Sequence, residues 1–137
     1  MKRIIMAAVL LLLTAIPALA ANYVEPDEFK GWLESGKPVL IVDIQPAADF
    51  AAHHFKGAIE TNAFPAKSDE EKQRLDKVLP LANASAAPLV VVCPRGLGGA
   101  KNAYTYLATK GVSEERMYIL EDGIAGWPYP ALFVTGR

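Results

Sequence analysis

The sequence predicts an α/β domain on a mostly parallel sheet, and three observations predict it. Short apolar runs without alternation, at residues 39–43, 89–92 and 117–120, read as strands covered on both faces. Between them lie stretches whose apolar residues recur at helical spacing, as in Ala100, Ala103, Tyr104, Leu107 and Ala108. Glycines and prolines mark the changes of period, and strands alternating with helices along the whole chain imply parallel pairing through helical crossovers.

Taken in order, residues 25–35 make a helix. Pro26 suits a first helical position, Asp27 and Glu28 place acidic charge in the first turn, and Phe29, Trp32 and Leu33 share a face. Gly36 is its C′ residue. Residues 39–43 form a strand that ends in the carboxylate of Asp43, and a short helix covers 47–52 after Pro46. Residues 58–61 make a second short strand, entered through Gly57 and left before Pro65. Ser68 and Glu71 fit a capping box for a helix on which Leu75, Val78 and Leu79 repeat at helical spacing. Residues 80–88, rich in Ala, Asn and Ser, read as a loop. The run at 89–92 is the most strand-like of all, and a helix follows it at once, ending at Gly111 after Lys110. The strand at 117–120 leads into Glu121-Asp122-Gly123, a turn toward Trp127 and two prolines.

Residues 1–20 read as a cleaved export signal. Lys2 and Arg3 form a basic start, an apolar stretch runs from Ile4 to Ile16, and Ala18-Leu19-Ala20 is a small-x-small cleavage site. The apolar stretch is short for a membrane span, and no stop-transfer pattern follows, so the expectation is a periplasmic or secreted protein without membrane insertion once the signal is cleaved. Subtracting these 20 residues from 137 leaves 117, one domain's worth, at 21–137. Twelve basic and 15 acidic residues remain, a net charge of −3. With no basic stripe to displace counterions from a phosphate backbone, nucleic acid is not an expected partner.

Cys93 is the only cysteine, and it stands between the strand at 89–92 and the glycine-rich turn Pro94-Arg95-Gly96-Leu97-Gly98-Gly99. A lone thiol cannot staple its own chain, so in an oxidising compartment it is either inert or a reactive sulfur. Its position favours reactivity. In a parallel sheet the ligand crevice lies at the carboxyl ends of the strands. A glycine-rich loop there turns backbone N–H groups inward, and the following helix adds its positive end. Both stabilise a thiolate and an oxyanion beside it. Arg95 and Lys101 are candidates to supply charge to an oxyanion bound there.

Four segments resemble the rhodanese-like sulfurtransferase family in its single-domain form. The strand ending in Asp43 resembles the family's Asp-x-Arg strand, and residues 50–58, Phe-Ala-Ala-His-His-Phe-Lys-Gly-Ala, resemble its aromatic-x-x-x-His-I-x-G-A stretch. Val90-Val91-Val92-Cys93 with its loop resembles the active-site strand and cradle, and Leu120 to Trp127 resembles the terminal L-x-G-G-x-x-x-W element. The resemblance implies a five-stranded, mostly parallel sheet with helices on both faces. It also implies a reaction in which the Cys93 thiolate takes a sulfane sulfur from thiosulfate or a persulfide and yields it to a thiol or cyanide. Backbone amides from Arg95 through Gly96, Leu97, Gly98 and Gly99 would cradle the transferred sulfur and departing oxyanion; no cofactor is implied, and a redox or sulfur-relay protein is a further expected partner. Asp43 and His54 take structural places near the site. The chain departs from the family pattern at Gln45, where arginine is common, and at Gly98 and Pro94; Gly96 is retained.

Other readings are weaker. Adjacent His53 and His54, without a second cluster at ligand spacing, do not make a metal site. A Cys-x5-Arg phosphatase shares the strand–loop–helix geometry, yet Gly99 stands where its arginine belongs and Val92 where its histidine belongs. A thioredoxin-like role lacks the second cysteine. The alternative from another class is a non-turnover module that carries sulfur or a chalcogen oxyanion for a partner protein, motivated by Gln45 and Gly98.

Overall fold

Leu89, Val90, Val91 and Val92 are all fully buried, and the sheet extends outward from them on both sides. The computed structural model describes residues 20–137; the export signal read at 1–20 lies outside the described residues except for Ala20. The main sheet is parallel throughout, in the order β1 (Tyr23–Val24), β6 (Met117–Leu120), β5 (Leu89–Val92), β2 (Leu40–Asp43) and β4 (Ile59–Glu60). The central register pairs Asp43 with Val92 and Val91 with Ile119, so the strands end together at one edge.

Alternate residues of these strands feed two cores. Val42, Leu89, Val91, Met117 and Ile119 pack with Leu75, Val78 and Ala82 and with Ala100, Ala103, Tyr104 and Leu107 of α5 (Gly98–Thr109). Ile41, Val90, Val92 and Leu120 face the other way, onto Phe29 of α1 (Pro26–Glu34), Phe55 and Trp127. Helices therefore cover both faces, as the unbroken apolar strands require. Phe29, Phe55 and Trp127 meet edge-on, with ring centroids 4.9 to 5.8 Å apart.

Helix α1 has Pro26 at its start and ends in a Schellman arrangement. The Gly36 N–H donates to Leu33 O and the Lys37 N–H to Trp32 O, while Gly36 sits at φ +71°. Helix α2 (Ala47–Ala52) matches its expected span, as do β5 and β6.

The segment 68–88 differs from expectation. The capping box forms: the Glu71 N–H donates to Ser68 Oγ at 3.1 Å, and the Glu71 carboxylate accepts the N–H of Ser68 at 3.0 Å. The Ser68 and Lys67 amides hold that carboxyl below its ordinary range. The expected single helix is instead divided into α3 (Asp69–Gln73), a 3-10 turn at Asp76–Val78, and α4 (Leu79–Asn83). Residues 80–83, expected as loop, are thus helical. Pro80 falls in the first turn of α4, where its missing N–H would have no intrahelical partner. The other end is capped from afar, since the Arg116 guanidinium donates to Ala82 O and to Ala87 O. Replacing Ser68 by alanine is expected to cost about 1 kcal/mol, read as a lower urea midpoint at unchanged slope.

Three two-residue strands escaped the sequence. Strand β1 exists only by pairing with β6, and β3 (His54–Phe55) pairs antiparallel with β7 (Phe133–Val134) in a separate ribbon over the aromatic core.

Candidate active site

Strand β5 delivers Cys93 to the carboxyl edge of the sheet, where neighbouring loops converge by backbone hydrogen bonding. The Ile44 N–H donates to Val92 O at 2.9 Å, and the Phe64 N–H to Ile44 O at 2.8 Å, which draws the loop after β4 alongside. On the other side the Ile124 N–H donates to Cys93 O and the Ala125 N–H to Pro94 O, both at 2.9 Å. The turn after β6 thus clasps the first two residues of the cysteine loop.

The clasp requires two glycines. Gly96, at φ +70°, would place a Cβ 2.8 Å from Asp122 N and 3.0 Å from Leu120 O. Gly123, at φ +61°, would place one 2.3 Å from Cys93 O and 2.7 Å from both Arg95 N and Gly96 N. With no side chain at either position, the loop folds back far enough for the Gly96 N–H to donate to Cys93 Sγ at 2.7 Å. The sulfur is buried. Helix α5 begins at Gly98 with no side chain capping it, so the N–H groups of its first turn have no intrahelical partner. Those donors and the positive helix end are available to a negative charge carried by the sulfur.

Cys93 opens into a cleft of about 410 Å³, which Arg95, Leu97, Gly98 and Gly99 also line. Arg95, Leu97 and Gly98 are exposed, whereas Gly96 and Gly99 are buried. A Cβ on Gly99 would lie 2.8 Å from the Phe64 ring, so a side chain at the position occupied by arginine in a Cys-x5-Arg loop would have to displace that ring. Lys101 is corrected by the structure: it lines a different cavity, with Tyr104 and Glu114. Sequence reasoning missed Pro46, Asp49 and Phe64, which complete the cleft. The available signal was positional, since each follows a strand that ends at the same edge as β5.

Asp43 and His54 do not line the cleft; they organise what stands behind it. Asp43 is fully buried, and its two carboxylate oxygens accept from the Gln45 N–H at 2.8 Å and from Gln45 Nε2 at 2.9 Å. The same Nε2 donates to His53 O at 3.1 Å, so one amide ties the loop after β2 to the end of α2. His54 stacks on Phe50 at 3.9 Å, and its Nδ1 lies 2.8 Å from Phe50 O. The side chain that pairs with the Asp43 carboxylate is this neutral amide.

Burial therefore pushes the Asp43 carboxyl up from 3.8 to about 6, against the opposing pull of the Gln45 hydrogen bonds. A carboxyl whose pKa is higher in the folded than in the unfolded chain binds more protons in the native state between the two values. Its contribution to stability is full below the unfolded pKa and is lost as pH rises through about 6. Asp43→Asn is expected to remove that slope. The difference in unfolding free energy between wild type and variant, followed by urea titration, should shift against wild type by roughly 2 kcal/mol between pH 4 and pH 7. A constant difference would show that folding does not raise the Asp43 carboxyl.

Comparison with known proteins adds to this geometry. The family model for the rhodanese-like domain matches residues 25–128. The chain is similar in fold to a thiosulfate sulfurtransferase from Pseudomonas aeruginosa, at 23% identity and a TM-score of 0.61, over 85% of this chain and 20% of that one. It thus spans about a fifth of that protein's length. A rhodanese-like domain protein from Staphylococcus aureus is similar at 21% identity and a TM-score of 0.60, over 85% of this chain and 99% of that one. A yeast protein tyrosine phosphatase of the rhodanese family is similar at 22% identity and a TM-score of 0.61, over 80% and 86%. A search of curated proteins gives no match. Among the described residues no helix is long and apolar enough to cross a membrane. The family model covers most of the chain, from the start of α1 to just past Trp127, and the protein belongs to the rhodanese-like domain family.

Proposed function

We propose that this protein is an exported sulfurtransferase that moves a sulfane sulfur from thiosulfate or a persulfide to a thiophilic acceptor through a persulfide on Cys93. The observation that carries the reading is the Gly96 N–H aimed at Cys93 Sγ, 2.7 Å away, beside the uncapped start of α5. That arrangement aims a donor at the sulfur nucleophile and leaves amides for a second sulfur attached to it. In the first half-reaction the thiolate attacks the outer sulfur of the donor. The new S–S bond forms as the donor's own S–S bond breaks, and sulfite or a thiolate leaves with the electron pair. In the second, a thiol or cyanide attacks the outer sulfur and regenerates the Cys93 thiolate. Arg95 to Gly99 hold the transferred sulfur through backbone amides, while Asp43 and His54 brace the surrounding loops. Residues 1–20 are removed on export, leaving the domain in the periplasm or outside the cell, where a sulfur-relay protein is a partner.

A carrier module without turnover is the second reading. The neutral Gln45 beside Asp43 and the side-chain-free Gly98 favour it, since neither supplies charge for a dianionic donor. One experiment separates the two. The mature protein and Cys93→Ala are incubated with thiosulfate or a persulfide, intact masses are recorded, and cyanide is then added. One extra sulfur on the wild type alone, followed by repeated thiocyanate release, supports the enzyme. Sulfur gained but released at most once supports the carrier, and no sulfur gained from any donor removes the enzyme and the sulfur carrier and leaves a carrier of another chalcogen oxyanion.

A further inference from the structure

The cleft in front of Cys93 has chemistry that thiosulfate does not match. Phe64 is 39% exposed and Leu97 65% exposed, an unusual degree for large apolar side chains at the mouth of a site meant for a small hydrated dianion. Pro46 and Pro94 extend the same apolar wall. The charged side chains lining the cleft are Arg95 and Asp49, and their formal charges cancel. A dianion entering from water would leave its hydration shell against an apolar wall without net compensating side-chain charge. The cleft's volume of about 410 Å³ also lies in the range of sites for small organic ligands. The five heavy atoms of thiosulfate, at about 30 Å³ per water-sized volume, would fill less than half of it.

We infer that the preferred sulfur donor is an organic persulfide, R–S–S⁻, whose R group is apolar next to sulfur and rests on Leu97 and Phe64. This rests on the sulfurtransferase reading and narrows its substrate. The Cys93 thiolate attacks the terminal sulfur, the bond between the two donor sulfurs breaks, and R–S⁻ departs with the electron pair and is protonated by water. Two single negative charges enter the step and two leave. The donor's one charge is met by the amides of the loop and the first turn of α5, while its apolar body displaces water from the wall. Such an R group belongs either to a small thiol or to a cysteine in a polypeptide.

The test measures the rate at which Cys93 gains one sulfur, by rapid quench and intact mass, from thiosulfate, from benzyl persulfide, and from a leucine-flanked peptide carrying a cysteine persulfide. At equal concentration, both organic donors are expected to load the wild type at least tenfold faster than thiosulfate. Leu97→Ser, at an exposed position, is expected to lower the ratio of benzyl persulfide rate to thiosulfate rate by about fivefold. Asp49→Asn should lower the same ratio by raising the thiosulfate rate two- to threefold at low ionic strength. Faster loading from the peptide than from benzyl persulfide identifies a polypeptide source, and the reverse order a small thiol. Thiosulfate loading as fast as the organic donors, or a ratio unchanged in Leu97→Ser, overturns the inference and leaves the sulfurtransferase reading intact. Failure of every donor to load Cys93 removes the sulfurtransferase reading itself.

Discussion

Cys93→Ser is expected to abolish sulfur transfer, by at least about 10³-fold, while leaving the fold in place. The two parts of that result have separate causes. Serine is close to cysteine in shape, and its oxygen can accept the Gly96 N–H that now points at Sγ, so no buried donor is stranded. The change in stability should stay within about 1 kcal/mol. Chemically the substitution removes the only thiol in the chain, and a hydroxyl does not form the S–S bond on which transfer depends. Thiocyanate release measured beside a urea midpoint distinguishes this from simple unfolding. Residual transfer above a hundredth of wild type would mean that sulfur passes without a persulfide on this protein.

Gly123→Ala is expected to do the opposite, destabilising the fold and disordering the site together. Gly123 sits at φ +61°, where an L side chain costs about 1–2 kcal/mol. The added Cβ would also lie 2.3 Å from Cys93 O and 2.7 Å from Arg95 N and Gly96 N. All three are backbone atoms, so relief requires moving the cysteine loop itself, at about 1–3 kcal/mol more. The sum is about 3 kcal/mol, or roughly 12 °C in Tm for a domain of this size. Because the displaced atoms include the amide that meets Cys93 Sγ, sulfur loading should fall well beyond what the unfolded fraction accounts for. Gly31→Ala is the matching control. That glycine lies within α1 with nothing within 4 Å of an added Cβ, and the change should be neutral or stabilising by up to about 1 kcal/mol. Equal losses in both variants would exclude a specific role for the clasp.

The elements readable from sequence were those whose pattern is local. Strands β2, β5 and β6 announced themselves as unbroken apolar runs, α1 and α5 by their period and terminal glycines, and α2 by the proline before it. The Ser68–Glu71 box was equally plain, because a capping box closes within four residues. What failed was whatever depends on a distant partner. Residues 80–83 are helical with their carbonyl end held by Arg116, more than 30 residues away. Strands β1, β3 and β7 are two residues each, too short for any period, and are strands only because β6 or one another complete their hydrogen bonds.

The same division runs through the candidate site. Cys93, its glycine loop and the start of α5 are contiguous, so the sequence alone determined the candidate nucleophile, the glycine loop beside it and the sheet edge on which they stand. Tertiary structure decided which glycines are indispensable, since Gly123 is constrained by the backbone of residues 93–96 and not by its own neighbours in sequence. It decided that Lys101, one turn along α5, turns to a different cavity, and that Asp49 and Phe64 turn to this one. It also placed the neutral Gln45 amide between Asp43 and His53, where burial raises the carboxyl against that amide's pull. Local order follows from the covalent and steric preferences of nearby residues. The charge and apolarity of a cleft are sums over segments far apart in the chain, and those sums exist only once the segments are folded together.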